Sequence, residues 1–145
     1  MASRSRRLRA KVLKAVFKAH AAMYEMSDGR LGASFPLPML LLSVTGRKSG
    51  LTRTTPLVYF EDGARFVVVG SDGAAKRDPQ WWKNLKVDPR AEIRVGRRKL
   101  AVDATLATGA ERERLWEVGT AMNQMWQTYQ TRTKRELPVV ILTPR

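Results

Sequence analysis

The chain has 145 residues, 43% of them hydrophobic, and carries 27 Lys and Arg against 13 Asp and Glu, a net charge of +14. That is the size of one domain with enough apolar material for one core, which excludes wholesale disorder. The absence of Cys removes disulfide frameworks, zinc ribbons and cysteine nucleophiles, and a single His20 removes multi-histidine metal sites and His-based triads.

Half of the charge lies in residues 1–20, where Arg4, Arg6, Arg7, Arg9, Lys11, Lys14 and Lys18 stand without an acid. Leu8, Val12, Leu13, Val16, Phe17, Met23 and Tyr24 recur at helical spacing opposite Arg7, Lys11, Lys14 and Lys18. Residues 1–30 therefore read as a basic amphipathic helix. Three uses stay open: docking on the domain, lying in an anionic membrane interface through residues 1–26, or serving as a targeting presequence. Lys14 and Lys18 interrupt any secretory h-region, and no apolar run reaches the ~20 residues of a membrane span. The positive excess calls for an anionic partner: nucleic acid, an acidic membrane surface or a phosphate-bearing small molecule.

Ser27–Gly32 ends the helix with glycines, and Pro36 and Pro38 mark a connector. The apolar run Met39–Thr45 reads as a buried strand, and Thr52–Phe60, rich in Thr, Val and Tyr, as its partner across a short loop. Asp62-Gly63 is a hairpin signal leading into a return strand, Arg65–Gly70. After a polar loop, Asp78 is the expected N-cap of a helix Gln80–Val87. Ala91–Val95 and Leu100–Leu106 read as strands around the basic turn Gly96–Lys99. Thr108–Glu111 has the pattern of a capping box opening a helix to about Asn123. A second helical stretch runs to about Lys134, and Leu137–Leu142 is a last strand. Residues 31–145 thus read as one α+β domain, a small antiparallel barrel with flanking helices.

Three segments carry chemistry. Thr45–Arg53 places Arg47, Lys48 and Arg53 in a glycine-bounded loop, suited to a phosphate or polycarboxylate through its cations and free amides; a solvated basic hairpin is the bland alternative. It is not a Walker loop. In Gln80-Trp81-Trp82-Lys83-Asn84, adjacent tryptophans differ by 100° on a helix, so they are not expected both to face the core: one packs inward and the other flanks a planar ligand or covers a barrel mouth, with the Asn84 amide available to a polar edge. On the third segment Trp126 and Tyr129 are i,i+3 neighbours, fit to line an apolar pocket or to pack in the core. Paired carboxylates, a nucleophile elbow and a metal-ligand cluster are all missing, so any hard chemistry belongs to a cofactor.

The ordered set Leu41–Gly50, Arg53, Pro56-Leu57, then Asp78-Pro79-x-Trp81-x-x-Asn84-Leu85 with Asp88-Pro89, resembles the deazaflavin-dependent nitroreductases of actinobacteria. The resemblance covers roughly residues 35–145. It implies a split antiparallel β-barrel of the FMN-binding type, coenzyme F420 as cofactor, and hydride transfer from C5 of reduced F420 to an electron-poor acceptor such as a quinone, enone or nitro compound. Carried over by position, Arg47, Lys48 and Arg53 would hold the phosphate and oligoglutamate tail. Pro56, Leu57, Val69, Gly70, Ser71 and Asp72 would lie beside the deazaflavin, Gln80, Trp81, Trp82, Lys83 and Asn84 would border it, and Trp126 and Tyr129 would line the acceptor pocket. Ser71 and Tyr129 would be catalytic, steadying negative charge on the acceptor. Asp72 stands where the nitroimidazole-activating member has Lys, and Asn123 and Trp126 where it has tyrosines, so activity on nitroimidazoles does not follow. The expected setting is cytoplasmic, peripheral at the inner face of the cell membrane. The rivals are an FMN-binding split barrel, a nucleic-acid binder without a recognisable module, and a membrane-surface adaptor.

Overall fold

In a computed structural model that describes residues 37–145, six strands close into one antiparallel barrel. The helix expected over residues 1–30 lies outside the described residues. The strands are β1 (Met39–Thr45), β2 (Thr52–Asp62), β3 (Arg65–Val69), β4 (Arg90–Val95), β5 (Arg98–Leu106) and β6 (Val139–Pro144). They close in the order β1-β2-β3-β6-β5-β4. The helices are α1 (Gln80–Val87), between β3 and β4, and α2 (Gly109–Met122) with α3 (Gln124–Arg132), between β5 and β6.

Period-2 alternation splits the apolar residues between two cores. Leu40, Leu42, Val44, Phe66, Val68, Ile93, Val102, Val140 and Leu142 fill the barrel, and Trp81, Trp82 and Leu85 of α1 join them. The opposite faces of β2, β3 and β6 present Phe60, Val67, Val69, Val139 and Ile141 to Leu115 of α2 and Trp126 of α3. Gly119 makes this second core possible: a Cβ there would stand 2.8 Å from Cε1 of Phe60 and 3.1 Å from Cζ3 of Trp126.

Both tryptophans of α1 are buried and join the barrel core, correcting the expectation that adjacent tryptophans cannot both face it. The helix covers the barrel mouth, so apolar neighbours surround more than one of its faces. Two caps also differ from expectation. Pro79 holds the N-cap position of α1 while Asp78 pairs with Arg135 and Lys86. Thr108 makes no side-chain cap bond, because α2 opens on Gly109 at φ +58° and the capping-box geometry is not reached. α3 does have a side-chain cap: Asn123 Oδ1 accepts from the Met125 amide at 3.2 Å. The last strand starts at Val139, two residues later than its apolar run, since Pro138 has no N–H to enter a ladder.

Candidate functional site

One rim of the barrel collects the chemistry-bearing residues. It is formed by the β1–β2 loop, the segment after β3 and α1, which closes the mouth. Gly46 and Gly50 set the loop's shape. A Cβ on Gly46 would lie 2.8 Å from Ser49 Oγ and 3.1 Å from the Leu51 carbonyl oxygen, and Gly50 sits at φ +71°. The Gly46 amide donates to Leu51 O and the Gly50 amide to Gly46 O, each at 2.8 Å, and the Leu51 amide donates to Ser49 Oγ at 3.1 Å. These bonds close the loop on itself, while the Lys48 and Ser49 amides at its tip have no acceptor among the described residues, so the loop presents free amides together with its cations.

Those cations are differently placed. Lys48 is exposed at the tip. Arg53 pairs with Val44 across the β1–β2 ladder, and its Cγ approaches within 3.7 Å of where a Gly46 Cβ would be, so its stem crosses the rim. Arg47 is anchored: its amide donates to Asn84 Oδ1 at 3.1 Å and its Nη1 to the same oxygen at 2.8 Å. Asn84 is 5% exposed, and its Nδ2 has no acceptor among the described residues. A buried amide donor without a partner is costly, and a ligand oxygen would satisfy it. Among the described residues no carboxylate pairs with Arg47, Lys48 or Arg53.

The segment after β3 forms the second wall. Gly70 is buried beneath two prolines: a Cβ there would meet Pro138 Cγ at 2.6 Å and Pro79 Cγ at 3.3 Å. Packing is thus what demands glycine at this position. Asp72, Gly73 and Ala74 follow with φ of +42°, +60° and +66°. For a non-glycine residue this region costs about 1–2 kcal/mol, so the conformation needs outside support. Partial desolvation against its neighbours pushes the carboxyl of the exposed Asp72 above its ordinary range, and the charge of Arg135 opposes that shift. Arg135, which no local sequence signal marked, supplies the support. Its guanidinium donates to the carbonyls of Gly70, Ser71 and Ala75 and to the Asp78 carboxylate.

The remaining expected residues divide by face. Pro56 and Val69 lie outside the barrel wall, Val69 within the second core, whereas Leu57 packs against the barrel interior. Gln80 is exposed at the start of α1 and Lys83 half-buried beside Asn84. Trp126 is 4% exposed, its ring 6.1 Å from that of Phe60, so it is core; Tyr129, one turn on, is half-buried. Neither the Ser71 nor the Tyr129 hydroxyl has a hydrogen-bond partner among the described residues. A separate cleft of about 470 Å³ lies between Trp82 of α1 and the start of α2. Its cations already face carboxylates, Lys86 the Asp78 it shares with Arg135 at 3.7 Å and Arg112 the Glu136 carboxylate at 2.6 Å, whereas the loop's cations face none, so the loop rim is the better anion site.

An F420H(2)-dependent quinone reductase of Mycobacterium tuberculosis, Rv1261c, is 38% identical over 135 residues, which cover 90% of this chain and 91% of the relative. The solved F420-H2 dependent reductase FDR-A superposes with a TM-score of 0.68 at 33% identity, over 72% of this chain and 93% of that one. A heme-binding protein of Mycobacterium smegmatis superposes with a TM-score of 0.61 over 82% of this chain and 50% of that one, but at 19% identity it shares the fold alone. Residues 16–144 match the profile of the F420H(2)-dependent quinone reductases, and the chain belongs to that family.

Proposed function

We propose that reduced F420 binds at the rim formed by the β1–β2 loop, the Gly70–Asp78 segment and α1, and that a quinone is reduced beside it. Family membership makes the chain an F420-dependent oxidoreductase acting on quinones, and F420 supplies the hydride when bound. The residues present fit that cofactor. The observation that carries the assignment is the rigid loop whose cations lack carboxylate partners, next to the unpartnered Nδ2 of Asn84. A ligand with a phosphate and several carboxylates matches both features.

The residues divide the work. Lys48 and Arg53 hold the anionic tail, and Asn84 keeps Arg47 oriented toward it. Trp81, Trp82 and Leu85 seal the mouth beneath and exclude water from the barrel side. The Ser71 and Tyr129 hydroxyls donate to the acceptor oxygen as negative charge builds on it. Asp72, negative where a relative has Lys, repels the tail from the second wall and so sets its direction. Residues 1–26 contact an anionic membrane surface, where lipid-soluble quinones reside, and residues 31–145 form the catalytic domain. No described helix is long and apolar enough to cross a membrane.

Titration with F420, followed by tryptophan quenching, tests the site. Lys48→Ala and Arg53→Ala each weaken binding about 10- to 100-fold, the loss expected for one charged hydrogen bond. Shortening the oligoglutamate tail reduces the penalty at whichever cation contacts it. Unchanged affinity in both variants would remove the loop from the site.

A further inference from the structure

We propose that Arg135 is a positioning residue for the cofactor: it turns the backbone amides of Ser71 and Asp72 outward as a pair of donors and ties them to the helix that carries Tyr129. The proposal rests on the reading that this segment borders the cofactor.

The geometry begins with peptide planarity. In a trans peptide the C=O and the N–H of the next residue point in opposite directions. Arg135 Nη1 donates to Gly70 O and Nη2 to Ser71 O, each at 2.9 Å. The amides of Ser71 and Asp72 belong to those two peptide units, so both are directed away from the guanidinium. Neither has an acceptor among the described residues, whereas the neighbouring Gly70, Ala74 and Ala75 amides are bonded to Pro138 O, Ser71 O and Asp72 O. Two adjacent donors facing the same way suit the acceptor atoms of a heteroaromatic ring or a developing oxyanion.

The clamp extends both ways along the chain. Nε donates to Ala75 O at 2.7 Å, and Nη1 reaches Asp78 Oδ1 at 3.1 Å, so one side chain spans the strained Asp72–Ala74 turn and the entry to α1. The Arg135 side chain is 13% exposed. Its own backbone is held by Gln130, next to Tyr129 on α3: Gln130 Nε2 donates to Arg135 O at 2.8 Å and Gln130 Oε1 accepts from the Leu137 amide at 2.9 Å. The cofactor side and the acceptor side of the site thus share one support. Only a planar guanidinium has the donors to serve three carbonyls and a carboxylate together; an ammonium cannot.

Arg135→Lys keeps charge and stem while losing the fork, and Arg135→Ala leaves a space that methylguanidine can enter. In the full-length protein, F420 affinity is read by tryptophan quenching, amide positions by the Ser71 and Asp72 resonances, and the fold by thermal melting. Arg135→Lys is expected to melt as a folded protein, exchange its 70–78 amides faster, and bind F420 at least about tenfold more weakly. Methylguanidine is expected to restore binding in Arg135→Ala and to leave Arg135→Lys unchanged. Wild-type affinity in a folded Arg135→Lys overturns the proposal, and so does loss of fold together with binding, which would make Arg135 structural. A wild-type protein that binds F420 without moving the Ser71 and Asp72 resonances instead overturns the placement of the cofactor, a failure distinguishable from the first two.

Discussion

Replacing Asn84 by Leu tests the link between α1 and the cationic loop more sharply than removing a cation. Leu is close in size, so the barrel mouth stays filled, while the oxygen that accepts from the Arg47 amide at 3.1 Å and from Nη1 at 2.8 Å is lost. Arg47 then regains its rotamers, and immobilising a long side chain again on binding costs about 1–2 kcal/mol. Loss of the Nδ2 donor to a ligand oxygen adds about 0.5–1.5 kcal/mol. Together these are about 1.5–3.5 kcal/mol, a rise of about 10- to 300-fold in the F420 dissociation constant by the usual conversion of about 1.4 kcal/mol per decade. Asn84→Asp is expected to bind no better than Asn84→Leu. Its carboxylate would grip Arg47 firmly, but it would also neutralise that cation and repel an anionic tail. The assay is tryptophan quenching by F420 at two salt concentrations, with melting temperature alongside. If Asn84→Leu binds F420 like the wild type while melting lower, Asn84 only fastens the loop and the orphan amide has no ligand.

Other outcomes follow from the same structure. Tyr129→Phe is expected to slow single-turnover quinone reduction about 5- to 150-fold, for about 1–3 kcal/mol of lost charge stabilisation, with F420 affinity and melting temperature barely changed; wild-type rates would leave Tyr129 as packing only. Gly119→Ala gains at most about 1 kcal/mol of helix propensity, but its methyl meets Phe60 and Trp126, so net destabilisation of order 1 kcal/mol and a lower melting temperature are expected. Asp62 accepts from Arg114 and Arg65, which hold its carboxyl well below the ordinary range. A carboxyl depressed on folding stabilises the protein above its unfolded value of about 4, and that contribution fades as pH falls below it. Asp62→Asn should therefore melt lower than the wild type near neutrality and converge with it in acid; parallel melting curves across pH would refute the ion pair's role. Deleting residues 1–20 should reduce salt-sensitive binding to anionic liposomes and spare F420 binding; equal flotation of both proteins would end the membrane reading.

The barrel was legible because its signals are local. Met39–Thr45, Thr52–Phe60 and Arg65–Gly70 announce themselves by β-rich apolar runs and by turn residues, and their observed bounds shift by only two residues or fewer. The cationic loop was legible for the same reason, since Arg47, Lys48 and Arg53 fall within seven positions. What local pattern could not supply was the environment of a helix. A helical wheel allows one of two adjacent tryptophans to face a flat core, but α1 sits on a barrel mouth that has depth, and both Trp81 and Trp82 are taken in. Asp78 and Thr108 failed as caps because a tertiary arginine claimed the first and a left-handed Gly109 preceded the second turn.

Arg135 shows where such reading runs out. In sequence it stands in Lys134-Arg135-Glu136, one more cation in a chain with 27, and no local pattern singles it out. Its role exists only because α3 ends beside the start of β6, which brings it to partners 57 to 65 positions away. The same separation explains its leverage. The turn at Asp72–Ala74 holds non-glycine residues in a left-handed conformation that local sequence does not favour, so its shape must be imposed from outside. A support built from a distant helix and strand is rigid because those elements are themselves held in the second core by Leu137, Val139 and Trp126. Charge that meets the ligand is therefore written locally in the β1–β2 loop, while the backbone that meets it is shaped by long-range contacts. Substitutions in the loop should alter affinity in proportion to charge, and substitutions around Arg135 should alter affinity and hydride transfer together.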